Sequence, residues 1–396
     1  MRNWANNVTY STDRVLSPRS VDEARDMIVR ERRLRPLGTR HSFTRVADTD
    51  GALLSTEYLD GVAEICENTV TVESGIRYGE LGRVLAQHGL AVPNYASLPH
   101  ISVGGAVATA THGSGAGNRC LAASVAAIEL VTAAGELVRL QRGEPDFDGA
   151  VVSLGLLGLV VRVTIDVVPA FELRQHVFDL LPWADAEEHL DELLGLGYST
   201  SLFTLWTDAG IDQVWVKTAD AVDACFGASR ADGARHPIPG MDTDNCTEQL
   251  GVLGPSSDRL PHFRLGFTPS SGYELQSEYA VASERAVDAM RALRPLGRDL
   301  TPLLLTSEIR AVATDTLWLS PFYDRDSVCF HFTWKPLEAE VRTMLARIEN
   351  ALAPFEPRPH WGKLHLASPA ARFPRHADFD DLRARLDPAG VFQSRM

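Results

Sequence analysis

Apolar and polar residues alternate along the chain in two distinct rhythms. Thr69-Val70-Thr71-Val72-Glu73 switches at every position, the pattern of a strand with one buried face. Tyr78 to His88 instead sets Leu81, Val84 and Leu85 at helical spacing and stops at Gly89. Ser20 supplies cap chemistry ahead of a helical pattern that runs to about Glu31. Leu34 to Leu37 and Leu53 to Ser55 read as short strands, and Val125 to Thr132, a turn at Ala134-Gly135-Glu136 and Leu137 to Leu140 read as a hairpin. Leu154 to Val161 is glycine-spaced and apolar, a strand leaving a close-packed turn and running on to Pro169. Beyond Pro169 the texture changes. Helix-like Ala184 to Leu194 is followed by strand-like runs at Ser201 to Trp206, Gln213 to Lys217, Glu274 to Val281 and Val328 to Trp334. A polar stretch from Gly227 to Pro261 carries Pro and Gly and reads as a loop excursion. No repeat or low-complexity tract interrupts the order. The expected class is α+β, with two domains and a large antiparallel sheet in the second.

Length agrees: 396 residues exceed one ordinary core. Hydrophobic content of 45% and charged content of 23% are those of a soluble globular chain. The longest apolar run, Ala150 to Val161, contains Ser153 and ends at Arg162, too short to span a bilayer, so no membrane association is expected. A net charge of −14 repels polyanions, and the one basic cluster, Arg30 to Arg33, reads as a solvated helix end. Nucleic acid is therefore not an expected partner. Five scattered cysteines and no visible export signal point to a reducing, cytoplasmic setting.

Two glycine-rich runs carry the chemistry. Leu37-Gly38-Thr39-Arg40-His41-Ser42 follows one strand-like segment, and Ile101 to Gly115 follows another about sixty residues later. Both offer backbone N–H groups with little side-chain bulk, which suits a phosphate-bearing cofactor. His41, fixed in the first turn, points to a large cofactor held along its length and bonded covalently. A P-loop is excluded because Gly362-Lys363 is followed by Leu364, and no Gly-x-Gly-x-x-Gly opens a helix after the first strand. Neither His-Glu-x-x-His nor paired Cys-x-x-Cys occurs, so no metal is expected, and there is no Gly-x-Ser-x-Gly elbow.

Pro36 to Ser42, Ile101 to Gly115, Leu154 to Val161, Glu274 to Tyr279, Ser307 to Arg310, His331 to Lys335 and Pro359 to Lys363 fall in the order seen in the vanillyl-alcohol-oxidase-like flavoproteins. The chain resembles most closely the branch of alditol (xylitol/sorbitol) and sugar-lactone oxidases, over nearly its whole length. The resemblance implies an FAD domain over 1–170, a substrate domain over 171–365 and a C-terminal segment, 366–396, returning toward the FAD domain. It implies FAD bound covalently through His41 and contacted by Leu37, Gly38, Thr39, Arg40, Ser42, Ser102, Gly104, Gly105, Ala106, Thr109, Gly113, Ser114 and Val161. Many relatives have Gly-x-Gly-His in the first motif, whereas Thr39-Arg40 precede His41 here, as in the alditol-oxidising branch. Cys66 and Cys120 lie outside the place of a second, cysteinyl linkage, so a single histidyl bond is expected.

Glu308 and Arg310 are two apart in a strand-like run, as are His331 and Thr333, so each pair shares one sheet face. In isolation the first reads as an ion pair and the second as a solvent-facing strand side. With the resemblance they become one polar wall, joined by Gln276, Lys363 and Ser102, suited to a polyhydroxylated substrate. His112 reads as a structural hydrogen-bonder. Arg310 and Lys363 are expected to stabilise developing negative charge. His331, alone among these with an ordinary pKa near neutrality, takes the hydroxyl proton unless solvent does, and Glu308 binds hydroxyls. The expected activity is oxidation of a terminal polyol hydroxyl with O2 as acceptor and H2O2 as product, by a monomer. An aldonolactone oxidase or dehydrogenase is the alternative, and a catalytically silent flavin-binding protein a more distant one.

Overall fold

The structure is a computed structural model that describes residues 1–266, 273–366 and 368–394. The N-terminal half builds two main sheets, beside a two-stranded pairing of Leu90–Ala91 with Val168–Pro169. Val15–Leu16, Ala52–Ser55 and Leu34–Leu37 form a parallel three-stranded sheet. Val62–Ile65, Thr69–Glu73, Leu159–Asp166, Val125–Val131 and Leu137–Gln141 lie in that order in an antiparallel five-stranded one. The two-residue period decides which side chains enter the core. Val70 and Val72, and Leu159, Val161, Val163 and Ile165, are buried while the residues between them are not. The helix Val21–Ile28 begins at Ser20, whose hydroxyl accepts from the Glu23 N–H at 3.2 Å, and packs Ala24 and Ile28 against Leu34, Leu54 and Leu159.

Three local expectations are corrected. The second glycine-rich run is not all loop, because Val103–Ala108 forms a short helix. Its glycines are poor helix formers, but a Cβ on Gly104 would come within 2.7 Å of Ser74 Cβ, so only glycine lets the helix settle onto that chain. The segment Ala184 to Leu194 is two helices, Trp183–Glu188 and Leu190–Leu194, parted at His189. The strand expected from Leu154 starts at Leu159. Before it the chain turns through Gly158 at φ +152°, where a Cβ would sit 2.4 Å from the Val131 carbonyl oxygen.

From Glu172 the chain builds the large antiparallel sheet. Its strands run in the order Ser229–Arg230, Glu172–Leu181, Ile211–Thr218, Ser199–Thr204, Leu304–Val312, Ser327–Trp334, Leu275–Ala282 and Arg358–Pro359, with Gly254–Pro255 pairing beside Glu172. One face is apolar: Leu202, Val214, Ile309, Phe330 and Phe332 pack under the helices Ala286–Leu293 and Glu338–Leu352. The other carries the polar side chains of the same strands. It too is covered, because Ser327–Trp334 is buried at every position. The cover comes from the N-terminal half and from the stretch 231–263, which lies over Phe203 and Trp215. Two helices that bury Met290, Leu293, Met344, Leu345 and Ile348 thus hold up a sheet whose polar side faces the first half of the molecule.

The last residues cross back. Leu34 N–H donates to the Val391 carbonyl at 2.8 Å, and Arg385 pairs with Asp146 at 2.7 Å. Arg35, 1% exposed, donates to the carbonyls of Gly155, Leu154, Val46 and Phe392. No helix among the described residues is long and apolar enough to cross a membrane.

Candidate active site

A cleft of about 1900 Å³, counted out to its open mouth, separates the two halves. Leu37, Gly38, Thr39, Arg40, His41 and Ser42 line one wall, with Gly104, Gly105, Ala106 and Thr109 of the short helix beside them. Gln276, Glu308, Arg310, His331, Thr333 and Lys363 line the other. Both glycine-rich segments and the polar sheet face therefore meet in one space.

Among the described residues, the buried polar atoms with no hydrogen-bonding partner include His41 Nδ1 and Ser74 Oγ on the first wall and Ser102 Oγ just behind it. Buried polar atoms are rarely left so, and their clustering marks a place for a polar guest. Burial, with nearby His100, Arg77 and Arg40, pushes the His41 ring down to about 4, so it is an unprotonated nitrogen base at neutral pH. Trp4 stacks on it with ring centroids 5.0 Å apart. The turn bearing Lys363 is tied to this loop, since Phe43 N–H donates to the Gly362 carbonyl at 2.7 Å and Thr44 Oγ1 to the Trp361 carbonyl at 3.0 Å. Gly113, Ser114 and Val161 do not line the cleft. Gly113 packs on Tyr95, the Ser114 hydroxyl donates to the Thr200 carbonyl, and Val161 is a core residue whose carbonyl accepts from Ser74. Ser102 lies just behind the wall, where a Cβ on Gly38 would meet its Oγ at 2.6 Å.

The polar wall follows from register. Glu308 stands opposite His331, which stands opposite Glu278; Thr306 and Gln276 flank Thr333 in the next row. Glu278 is the centre. Its Oε1 lies 2.7 Å from His112 Nε2, and its Oε2 accepts from Arg310 Nη2 at 2.7 Å and Lys363 Nζ at 3.1 Å and faces His331 Nδ1 at 3.1 Å. Burial opposes its charge, yet Lys363, His112 and Arg310 hold the carboxyl well below the usual range. Glu308, likewise buried and held low by Arg310 and His262, pairs with Arg310 at 3.4 Å. Burial and the Lys363 charge push His331 down to about 4, far from the near-neutral value its residue type leads one to expect. Its Nε2 lies 3.1 Å from Thr333 Oγ1. Burial also lowers Lys363. Two anions and two cations thus share a dry wall, with neutral imidazoles between them.

A family model for an FAD binding domain matches residues 12–141, and one for D-arabinono-1,4-lactone oxidase matches residues 273–396. Alditol oxidase of Streptomyces sp. (strain IKD472 / FERM P-14339) is 47% identical over 400 residues, covering 98% of this chain and 96% of that one. This chain belongs to the alditol oxidase family. L-gulono-1,4-lactone dehydrogenase of Mycobacterium tuberculosis is a more distant relative, 30% identical over 98% of this chain and 96% of its own length. Cholesterol oxidase from B. sterolicum shares the fold, with a TM-score of 0.77 at 16% identity over 99% of this chain and 94% of that one. Within the alditol oxidase family, then, the first glycine turn and the short helix lie in the FAD-binding half, and orphaned polar atoms and close backbone there fit that cofactor. The polar wall belongs to the half matched by the lactone-oxidase model.

Sequence reasoning missed three members of this site, Glu278, His360 and His262. Glu278 had a usable signal: it follows Gln276 by two and so shares its sheet face. His112 is the structural hydrogen-bonder foreseen, but its partner is the central carboxylate. His360, whose Nδ1 accepts from Gly362 N–H at 3.0 Å, shapes the Lys363 turn. His262 gave no local signal at all.

Proposed function

We propose that this chain oxidises the terminal primary hydroxyl of an alditol such as xylitol or sorbitol to the aldose, with O2 reduced to H2O2. The observation that carries the reading is the meeting, in one cleft, of an FAD-binding wall with Gln276, Thr333, Glu308, Arg310, His331 and Lys363. Anions and amides accept and donate along a chain of hydroxyls, while an aglycone or acyl group would leave these charges unsatisfied.

Gly104, Gly105, Ser74 and the turn around His41 would hold the FAD, and His41 would carry its covalent bond through the ring. Bound FAD supplies the two-electron acceptor for the carbon-bound hydrogen and passes the electrons to O2. The protein's part is the proton and the charge. His331, whose Nδ1 lies 2.9 Å from Lys363 Nζ and 3.1 Å from Glu278 Oε2 and whose Nε2 lies 3.1 Å from Thr333 Oγ1, lines the cleft as a neutral imidazole and takes the hydroxyl proton. Glu278 then balances the imidazolium, as a carboxylate does when it orients a catalytic histidine. Arg310 and Lys363 stabilise the alkoxide as its charge develops. Glu308 and Gln276 hold neighbouring hydroxyls so that the terminal carbon is the one presented. Five free cysteines favour a reducing, cytoplasmic setting.

The match of residues 273–396 to the D-arabinono-1,4-lactone oxidase model favours a second reading, oxidation of an aldonolactone. A panel of polyols and gulono- and galactono-lactones with peroxide detection separates the two. Peroxide from xylitol or sorbitol is expected, and turnover confined to the lactones would reverse the order.

A further inference from the structure

The polar stretch between the strands Ile211–Thr218 and Leu275–Ala282 takes no part in the chemistry above, yet it sets a histidine against Glu308. His262 Nε2 lies 3.0 Å from Glu308 Oε1, and its Nδ1 lies 3.0 Å from Lys217 Nζ. Lys217 rises from the sheet, 1% exposed, and also donates to the carbonyls of Leu260 at 2.6 Å and Pro261 at 3.1 Å. An ammonium has three protons and no acceptor, so these three partners use all of them. The valences then fix the imidazole. Nδ1 accepts from Lys217, Nε2 carries the hydrogen, and that hydrogen goes to Glu308 Oε1. Phe203 and Trp215 meet the ring edge-on at 5.5 and 5.4 Å and keep it in this plane. Glu308 Oε2 is left to Arg310 and to the cleft.

We propose that Lys217 and His262 are positioning residues for Glu308: together they bind one carboxylate oxygen so that the other is held toward a substrate hydroxyl. The inference rests on the polyol reading of the same site. The titratable and charged groups facing this pair are Glu308 and Arg310 on the strand Leu304–Val312 and Cys246 on the overlying stretch, with His331 facing Glu308 from the next strand. Burial pushes Lys217 down to about 7, Glu308 and Cys246 opposing and Arg310 adding to the fall. Above that pH the neutral amine turns a lone pair to Nδ1, the ring hydrogen moves to Nδ1, and Glu308 loses its donor. The polyol KM then rises with pH while kcat at saturation changes little.

The test uses the FAD-loaded protein and xylitol between about pH 6 and 9. Lys217→Met and His262→Leu are expected to raise KM roughly tenfold or more, the loss of a hydrogen bond to a charged group, with kcat within about threefold. His262→Gln, which keeps an N–H for Glu308, should restore KM to near the parent value, and the rise of KM near neutrality should vanish in Lys217→Met. A folded Lys217→Met or His262→Leu protein with unchanged KM and pH dependence overturns the inference, as does an equal rise in His262→Leu and His262→Gln. If Lys217→Met does not fold, the His262 pair decides. Nitrogen-15 spectra of labelled histidine give a reading independent of substrate. The His262 signals, identified by their loss in His262→Gln, must be those of the Nε2–H tautomer, and the Nδ1–H tautomer overturns the assignment. A parent protein that oxidises no polyol sinks the substrate reading instead, and the tautomer still decides this one.

Discussion

Replacing Glu278 by Gln is the sharpest probe of the polar wall. The amide keeps the shape of the side chain and one acceptor oxygen, but it puts N–H groups where Arg310, Lys363 and His331 now face Oε2. Two cations lose an acceptor and the wall loses its central anion, leaving only Glu308 against them. At about 1.5–3 kcal/mol per hydrogen bond to a charged group, the two lost bonds cost about 3–6 kcal/mol. Breaking a buried ion pair from one side costs about 3–5 kcal/mol, so the two routes agree. The pH dependence carries a sign. The native Glu278 carboxyl ionises well below the ordinary 4.5, so its contribution is whole above that pH and is withdrawn as pH falls below it. The variant should therefore be less stable at neutrality, with a shallower acid limb. Flavin reduction by saturating polyol should slow by about 10²-fold, the lower end of what a positioned base supplies, because His331 loses the carboxylate that balances its proton. Denaturant midpoints at saturating FAD and anaerobic stopped-flow measure the two effects. A Glu278→Gln protein within about 1 kcal/mol of the parent and within threefold in reduction rate would refute the central role given to this carboxylate.

Three further outcomes are expected. His41→Ala should release its flavin on acid precipitation while the parent protein keeps its yellow colour in the pellet; flavin retained by the variant would move the covalent bond elsewhere. Gly104→Val should lose FAD, because even a Cβ would stand 2.7 Å from Ser74 Cβ, and equilibrium dialysis reads the affinity. His262 and His331, buried and neutral with values near 4, should make the protein lose stability as pH falls from about 6.5, since the unfolded chain binds those protons first. The slope approaches about 1.4 kcal/mol per pH unit for each ring, and a melting temperature flat between pH 6.5 and 5 would contradict it.

Much of this is legible in the chain where local chemistry and tertiary context agree. Val70 and Val72, or Leu159 to Ile165, show their faces in a two-residue rhythm, and the i, i+2 spacing of Glu308 with Arg310 and of His331 with Thr333 is enough to put each pair on a single sheet face, where the cleft finds them. The rest depends on contacts that sequence does not carry. Val103–Ala108 becomes helical through close packing on Ser74, against the propensity of its glycines. Glu278 reads as an ordinary strand acid until the opposite half covers the sheet and brings four donors to it. Lys217 and His262 meet across 45 residues of irregular chain, and no periodicity links them. The low pKa of His331 likewise belongs to its burial beside Lys363 and not to its residue type.

The guanidinium of Arg35 gathers carbonyls from stretches of chain that translation delivers at very different times, the last being Phe392, 357 positions downstream. A nascent chain carrying only the N-terminal half would leave this cation stranded without one of its acceptors, and the strand at Leu34 without its Val391 partner. The cofactor-binding half is therefore finished last although it is made first. Prosthetic-group loading should wait until Val391 and Phe392 are in place, and a chain cut before the helix His376–Leu386 should fail as a flavin binder even with every glycine turn in place.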